Sequence, residues 1–107
     1  DPSDADAWNS KGNSLNSLKK YEEAILAYEH AITIDPSDAD AWNSKGNSLN
    51  SLKKYEEAIL AYEHAITIDP SDADAWNSKG NSLNSLGKGD EAKKCYDKAK
   101  ELELVDE

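Results

Sequence analysis

Apolar residues return along this chain at helical spacing, in two alternating stripes. Trp8, Gly12, Leu15 and Leu18 fall at intervals of four, three and three, which is one face of an α-helix. After Lys19 and Lys20, the residues Ala24, Ile25, Tyr28, Ala31 and Ile32 occur at i, i+1, i+4, i+7 and i+8, the wider face of a second helix. Polar residues mark the helix ends. Ser3 and Asp4 are N-cap types just after Pro2, and Asp6 adds negative charge to the first turn. Lys19 and Lys20 set cations at the negative end of the first helix, and Glu22 and Glu23 set anions at the positive end of the second. Asp35-Pro36 then stops the second helix, because a residue before proline is pushed out of helical backbone angles.

The pattern then starts again. Asp1–Trp8 recurs from Asp35 and from Asp69, a period of 34 residues, and residues 1–34 and 35–68 are identical throughout. The third copy follows them through Leu86 and departs at Gly87. The 107 residues therefore divide into units 1–34, 35–68 and 69–102 and an acidic tail 103–107, with two helices predicted in each unit. Copies without a single difference imply a very recent duplication or an engineered array. Gly12 lies one turn beyond Trp8 and predicts a place where the second helix crosses closely, with Tyr28 filling the gap between the small residues Ala24 and Ala31.

The third unit reads as an end. Ile25 and Ile59 become Lys93, and Ile32 and Ile66 become Lys100. Isoleucines at those places would pack on a following unit, whereas lysines keep a terminal face wetted. The first unit has no such substitution, so its Ala7 side is predicted to be open and to favour end-to-end self-association.

Charge narrows the partners. Asp and Glu number 22 against 12 lysines, a net charge of −10. None of the three units is basic, which argues against nucleic acid and against an anionic membrane surface. No run of 18 apolar residues occurs, so no transmembrane helix is predicted, and a soluble, cytoplasmic protein is expected. The chain has no Met, which reads as a fragment, a processed chain or a trimmed one. Cys95 is the single cysteine and cannot form an internal disulfide. It stands where the earlier units have Ala27 and Ala61, so it reads as a small residue between helices.

Chemistry is sparse. Glycine-rich phosphate loops, a nucleophile elbow, a zinc-protease helix and paired cysteines are all missing from the sequence, so neither an enzyme nor a cofactor is expected. His30 and His64 lie one period apart beside Glu29 and Glu63, and a metal would need several convergent ligands, so they read as solvated helix residues. Asp-Pro-Ser-Asp-Ala-Asp has the acid density of a calcium loop but lacks its glycine turn and closing glutamate.

Trp8, Gly12, Leu15, Ala24, Tyr28, Ala31 and Pro36 stand at the landmark spacing of the tetratricopeptide repeat, which the chain resembles over residues 1–102. The resemblance implies an all-α fold: a right-handed superhelical solenoid of three antiparallel helix-turn-helix repeats. Three departures stand out. Lys11, Lys45 and Lys79 precede the glycine where leucine is commoner. Lys19 and Lys53 stand where a helix-ending glycine is usual, at a cost of about 1 kcal/mol each if left-handed. The third copy has Gly87 there, and Gly89 in place of Tyr21 and Tyr55.

The resemblance also implies that the first helices line a concave groove that receives a protein or peptide. The peptide-binding residues carried over are Asp6, Asn9 and Asn13, then Asp40, Asn43 and Asn47, then Asp74, Asn77 and Asn81. Ser10, Asn16, Ser17, Ser44, Asn50, Ser51, Ser78, Asn84 and Ser85 complete that face. An asparagine ladder suits an extended peptide, since an amide both donates and accepts hydrogen bonds. The competing reading of the same face is a merely water-soluble surface. The acidic row Asp6, Asp40 and Asp74 predicts a neutral or basic ligand. Family members that hold chaperone C-terminal carboxylates use two Asn, two Lys and one Arg. Here Asn13 agrees, while Asn9, Ser44, Asp74 and Ser78 stand at the other four places, which implies that such tails are not the ligand. The alternative is an engineered array with no native ligand. An RNA-binding helical repeat is set aside, since such arrays have a period of 35 and basic faces.

Overall fold

The computed structural model describes residues 4–105, which form six α-helices and, among those residues, no strand. The helices are α1 (Ala5–Ser17), α2 (Tyr21–Ile34), α3 (Ala39–Ser51), α4 (Tyr55–Ile68), α5 (Ala73–Ser85) and α6 (Gly89–Val105). Aspartate supplies the caps of the first helices. The Asp4 carboxylate accepts from the Asp6 and Ala7 N–H groups, Asp72 accepts likewise from Asp74 and Ala75 to cap α5, and Asp38 caps α3 through the Ala41 N–H. Ser3 lies outside the described residues. Its copy Ser37 turns back instead, donating its hydroxyl to Asp35 at 2.7 Å.

The turn inside each unit is a Schellman motif. The Lys19 N–H donates to the Asn16 carbonyl and the Lys20 N–H to the Leu15 carbonyl, both at 2.9 Å, and the same pair of bonds closes α3 and α5. This geometry needs one left-handed residue, and Lys19 (φ 63°), Lys53 (φ 64°) and Gly87 (φ 80°) supply it. A Cβ strains that conformation and glycine does not. Lys53→Gly is therefore expected to raise the stability by about 1 kcal/mol, read as a higher urea midpoint with an unchanged slope.

Each helix pair locks around one aromatic ring. Ala24, Tyr28 and Ala31 are buried, as are their copies Ala58, Tyr62 and Ala65. Gly12 and Gly46 are what let the ring in: a Cβ on either would stand 2.5 Å from the Cε1 atom of Tyr28 or Tyr62. Leu18 departs from the expected stripe and is 67 % exposed. It follows the last turn of α1, and among the described residues no unit packs on that side, whereas its copies Leu52 and Leu86 are half-buried.

The units stack in one direction. Each second helix packs on the first helix of the next unit, α2 on α3 and α4 on α5. First helices also touch across units, α1 on α3 and α3 on α5, while second helices do not meet each other. Rows that approach on one side and splay on the other make a curved solenoid with α1, α3 and α5 on its inner wall. At the first joint, Ile25 packs against the cluster of Leu49, Ala58, Ala61 and Tyr62, with Trp42 beside it. Ile59 repeats this against Leu83, Ala92 and Cys95. Cys95 is buried, and burial pushes its thiol pKa up.

The lysines that precede the glycines belong to these joints. Lys45 reaches Glu29 of the unit before at 3.2 Å, and Lys79 reaches Glu63 at the same distance. Each lysine also lies over its own unit's tryptophan, at 5.4 Å for Trp42 and 5.8 Å for Trp76. The histidines stack on tryptophans of their own units, His30 on Trp8 and His64 on Trp42, with ring centres 4.2 and 4.1 Å apart.

Candidate peptide groove on the inner wall

The inner wall is built from helix positions that the core does not use. On α1 the core stripe passes through Gly12 and Leu15, so Asp6 and Asn13 fall on the opposite side and are exposed. The same holds for Asp40 and Asn47 on α3, and for Asp74 and Asn81 on α5. Asn9, Asn43 and Asn77 are half-buried beside them.

The asparagines are not equivalent. The buried Tyr28 phenol reaches through the unit and donates to Asn13 Oδ1 at 2.7 Å; Tyr62 donates to Asn47 at 2.7 Å and Tyr96 to Asn81 at 2.6 Å. Serine hydroxyls of the next unit lie near these phenols, Ser44 near Tyr28 and Ser78 and Ser82 near Tyr62. Burial raises the Tyr28 pKa and pushes that of Tyr62 up to about 12, with the serine hydroxyls opposing the rise, so both phenols are protonated donors at neutral pH. Each phenol occupies the amide oxygen of its asparagine and leaves the amide N–H groups to other partners.

Asn9 is engaged differently. Its Nδ2 donates to the N-cap carboxylate of Asp38 in the next unit at 2.6 Å. The Oδ1 atoms of Asn9 and Asn43 are enclosed without a donor. Asn16 and Asn50 turn out to be joint residues. The fully buried Ser48 and Ser82 hydroxyls donate to their Oδ1 atoms at 2.9 Å, which ties each first helix to the next. Asn16, Asn13 and Asn9 are one or two helical turns apart, yet each faces a different neighbour.

Charge on this wall is one-sided. Lys45 and Lys79 are drawn to glutamates of the second helices, whereas Asp6, Asp40 and Asp74 stand exposed in the first turns of the wall helices. The opposite, outer side carries a second concavity that the sequence reading missed. It has a volume of about 620 Å³ and lies over the first joint, with Leu26, Trp42 and Leu60 among its walls. Its signal in the sequence is Leu26 and Leu60, which sit beside the core stripe rather than in it and are exposed. Among the described residues, no group of three potential metal ligands converges.

The family model of the tetratricopeptide repeat matches residues 5–38, 39–72 and 73–103. The chain belongs to the tetratricopeptide-repeat family. The matched frame starts four residues later than the frame read from Asp1, because it begins each repeat at the first helix rather than at the turn before it. Among solved structures, one of MamA is 32 % identical with a TM-score of 0.95, covering 99 % of this chain and 62 % of that one. This chain thus spans about three fifths of that relative. The second tetratricopeptide domain of Spaghetti (RPAP3), bound to the HSP90 peptide SRMEEVD, is 31 % identical with a TM-score of 0.89, covering 92 % of this chain and 91 % of that one. The first such domain of the same protein, with the same peptide, is 30 % identical with a TM-score of 0.92, covering 97 % of this chain and 82 % of that one. A search of curated proteins finds no match. The solenoid reading and the family landmarks agree with these likenesses. No helix is long and apolar enough to cross a membrane among the described residues.

Proposed function

We propose that this protein is a non-enzymatic interaction scaffold that holds an extended peptide or protein segment along the inner wall of α1, α3 and α5. The observation that carries this reading is the repeated Tyr–Asn unit. A buried phenol fixes each of Asn13, Asn47 and Asn81 through its oxygen, so a row of oriented amide N–H donors stands one repeat apart on an exposed wall. Such donors match peptide carbonyl oxygens, and holding them in advance lowers the entropy lost on binding. The carboxylates of Asp6, Asp40 and Asp74 beside them favour a neutral or basic ligand. Two related domains at 30 and 31 % identity bind an HSP90 peptide, which supports peptide binding on this fold. The acidic wall argues against a ligand of that charge here. Asp74 and Ser78 stand where carboxylate-holding relatives place cations, and a carboxylate would be repelled at Asp74.

The test is calorimetric titration with two peptides of equal length, SRMEEVD and a version with its acids replaced by Gln and Lys. The basic peptide is expected to bind more tightly, and Asp6→Asn/Asp40→Asn/Asp74→Asn is expected to remove that preference with the helix signal unchanged. Tighter binding of SRMEEVD would overturn the charge assignment, and no binding of any member of a peptide array would overturn the groove. The second reading, an engineered array without a native ligand, draws on the identity of residues 1–34 and 35–68, and predicts that empty array.

A further inference from the structure

The inner wall has the same residues in every unit, so whatever fits one unit must fit the next. Helices α1, α3 and α5 share one sequence, Ala-Asp-Ala-Trp-Asn-Ser-Lys-Gly-Asn-Ser-Leu-Asn-Ser. Asn13, Asn47 and Asn81 are exposed, each held through its oxygen by a phenol at 2.7, 2.7 and 2.6 Å. Asp6, Asp40 and Asp74 are exposed two turns earlier, about 10 Å away along the same helix face. The wall therefore carries two parallel rows, one of amide donors and one of carboxylates, with one member of each per unit. Lys45 and Lys79 do not compete for these carboxylates, being paired with Glu29 and Glu63 at 3.2 Å.

A ligand that engages every unit must repeat with the step of the rows. First helices touch across units, α1 on α3 and α3 on α5, and packed helices stand about 8–10 Å apart between axes. A β-strand covers that step in about three residues, but its side chains alternate with a period of two, so every third one points the opposite way. An α-helix returns the same face after about seven residues and 10 Å, but its carbonyls bond within the helix and leave the asparagine amides no acceptor. A polyproline II helix rises about 9 Å in one turn of three residues, so it brings the same face to each unit, and all its carbonyls are free.

We infer, on the reading of this wall as the peptide groove, that its ligand is a proline-rich segment in the polyproline II conformation, taken three residues per unit, with lysine or arginine at every third position. One carbonyl per turn accepts from the amide of Asn13, Asn47 or Asn81. The long stem of the basic residue runs along the wall helix and brings its cation toward Asp6, Asp40 or Asp74. The two residues between face away from the wall and are free to be proline. Proline fixes its own backbone angle and pushes the residue before it into extended geometry, so the segment is ordered before it binds.

The experiment titrates the whole chain at low salt with three end-capped, eleven-residue peptides. Two of them contain three lysines and eight prolines, with the lysines spaced three apart in one and four apart in the other. The third has the three-apart spacing with glycine in place of proline. Spacing by four turns each successive lysine a third of a turn away, so that peptide presents one lysine to the carboxylate row where the first presents three. The three-apart proline peptide is expected to bind about tenfold tighter than the four-apart one, two exposed ion pairs being the difference. The glycine peptide is expected to bind more weakly than its proline counterpart, because it must be ordered on binding. Asp6→Asn/Asp40→Asn/Asp74→Asn should abolish the preference for spacing with an unchanged circular dichroism spectrum. In the wild-type chain the side-chain amide signals of Asn13, Asn47 and Asn81 should all shift on adding the three-apart peptide. Equal affinity for the two spacings would overturn the three-residue register and leave the groove standing. Glycine binding as tightly as proline would overturn the polyproline II assignment. A shift at one asparagine alone would show that the units are not read in series and would overturn the inference. Binding of none of these peptides, nor of any member of a peptide array, would overturn the groove and this inference together.

Discussion

Tyr62→Ala is expected to lower stability by about 3–5 kcal/mol, enough to leave a large part of a domain of this size unfolded at room temperature. The ring is 1 % exposed and lies between the two central helices of the array. It enters the space that Gly46 leaves open, where a Cβ on residue 46 would stand 2.5 Å from the ring. Glycine inside a helix gives up about 1 kcal/mol relative to alanine, so the ring's packing must more than offset that loss. Removing the ring leaves both the cavity and the weak glycine. Tyr62→Phe separates the two parts of the effect. It keeps the ring and leaves Asn47 Oδ1 without its donor, for an expected loss of about 1 kcal/mol. Position in the stack sets a ranking. Tyr96 is half-buried where Tyr62 is buried, so Tyr96→Ala should cost less than Tyr62→Ala. Urea titrations followed by circular dichroism measure all three. Equal losses for Tyr62→Ala and Tyr96→Ala would show that burial does not govern these rings.

Much of this was legible from spacing alone, for a physical reason. A helix shows its buried face through periodicity, and a 34-residue period states that each buried face meets the same neighbour again. The Gly12–Tyr28 contact follows from the place of a residue without a side chain opposite a large one. What spacing could not supply was the neighbour at an end. Leu18 has the right periodicity and no unit to pack on, so it is exposed. Nor does spacing distinguish Asn13 from Asn16. Both lie on the polar side of α1, but a shift of three positions rotates the side chain toward α3, where Ser48 takes it. The role of Lys45 was hidden in the same way. Its partners are Trp42 in its own unit and Glu29 in the unit before, and only the stack brings them together.

Deleting residues 35–68 should lower the melting temperature by roughly 15–30 °C, for a stability loss of about 4 kcal/mol. The deletion falls on a full period, so Ile34 is joined to Asp69 as Ile68 was, and no cap, turn or helix sequence changes. What disappears is one helix pair and one of two joints. A single pair cannot bury both of its faces: the isoleucine side of α2 and the Leu49 side of α3 are covered only by each other. In an array whose stability is a sum of unit and nearest-neighbour terms, the joints must outweigh units that are unstable alone. Losing half of the joints while keeping two thirds of the units therefore reduces stability more than in proportion to length. The shortened chain also sheds three net negative charges, which relieves some repulsion and works against the predicted fall. A melting temperature that survives the deletion would mean that each helix pair is stable by itself. The continuous apolar contact through Ile25, Leu49, Ile59 and Leu83 would then contribute little to holding the inner wall in shape.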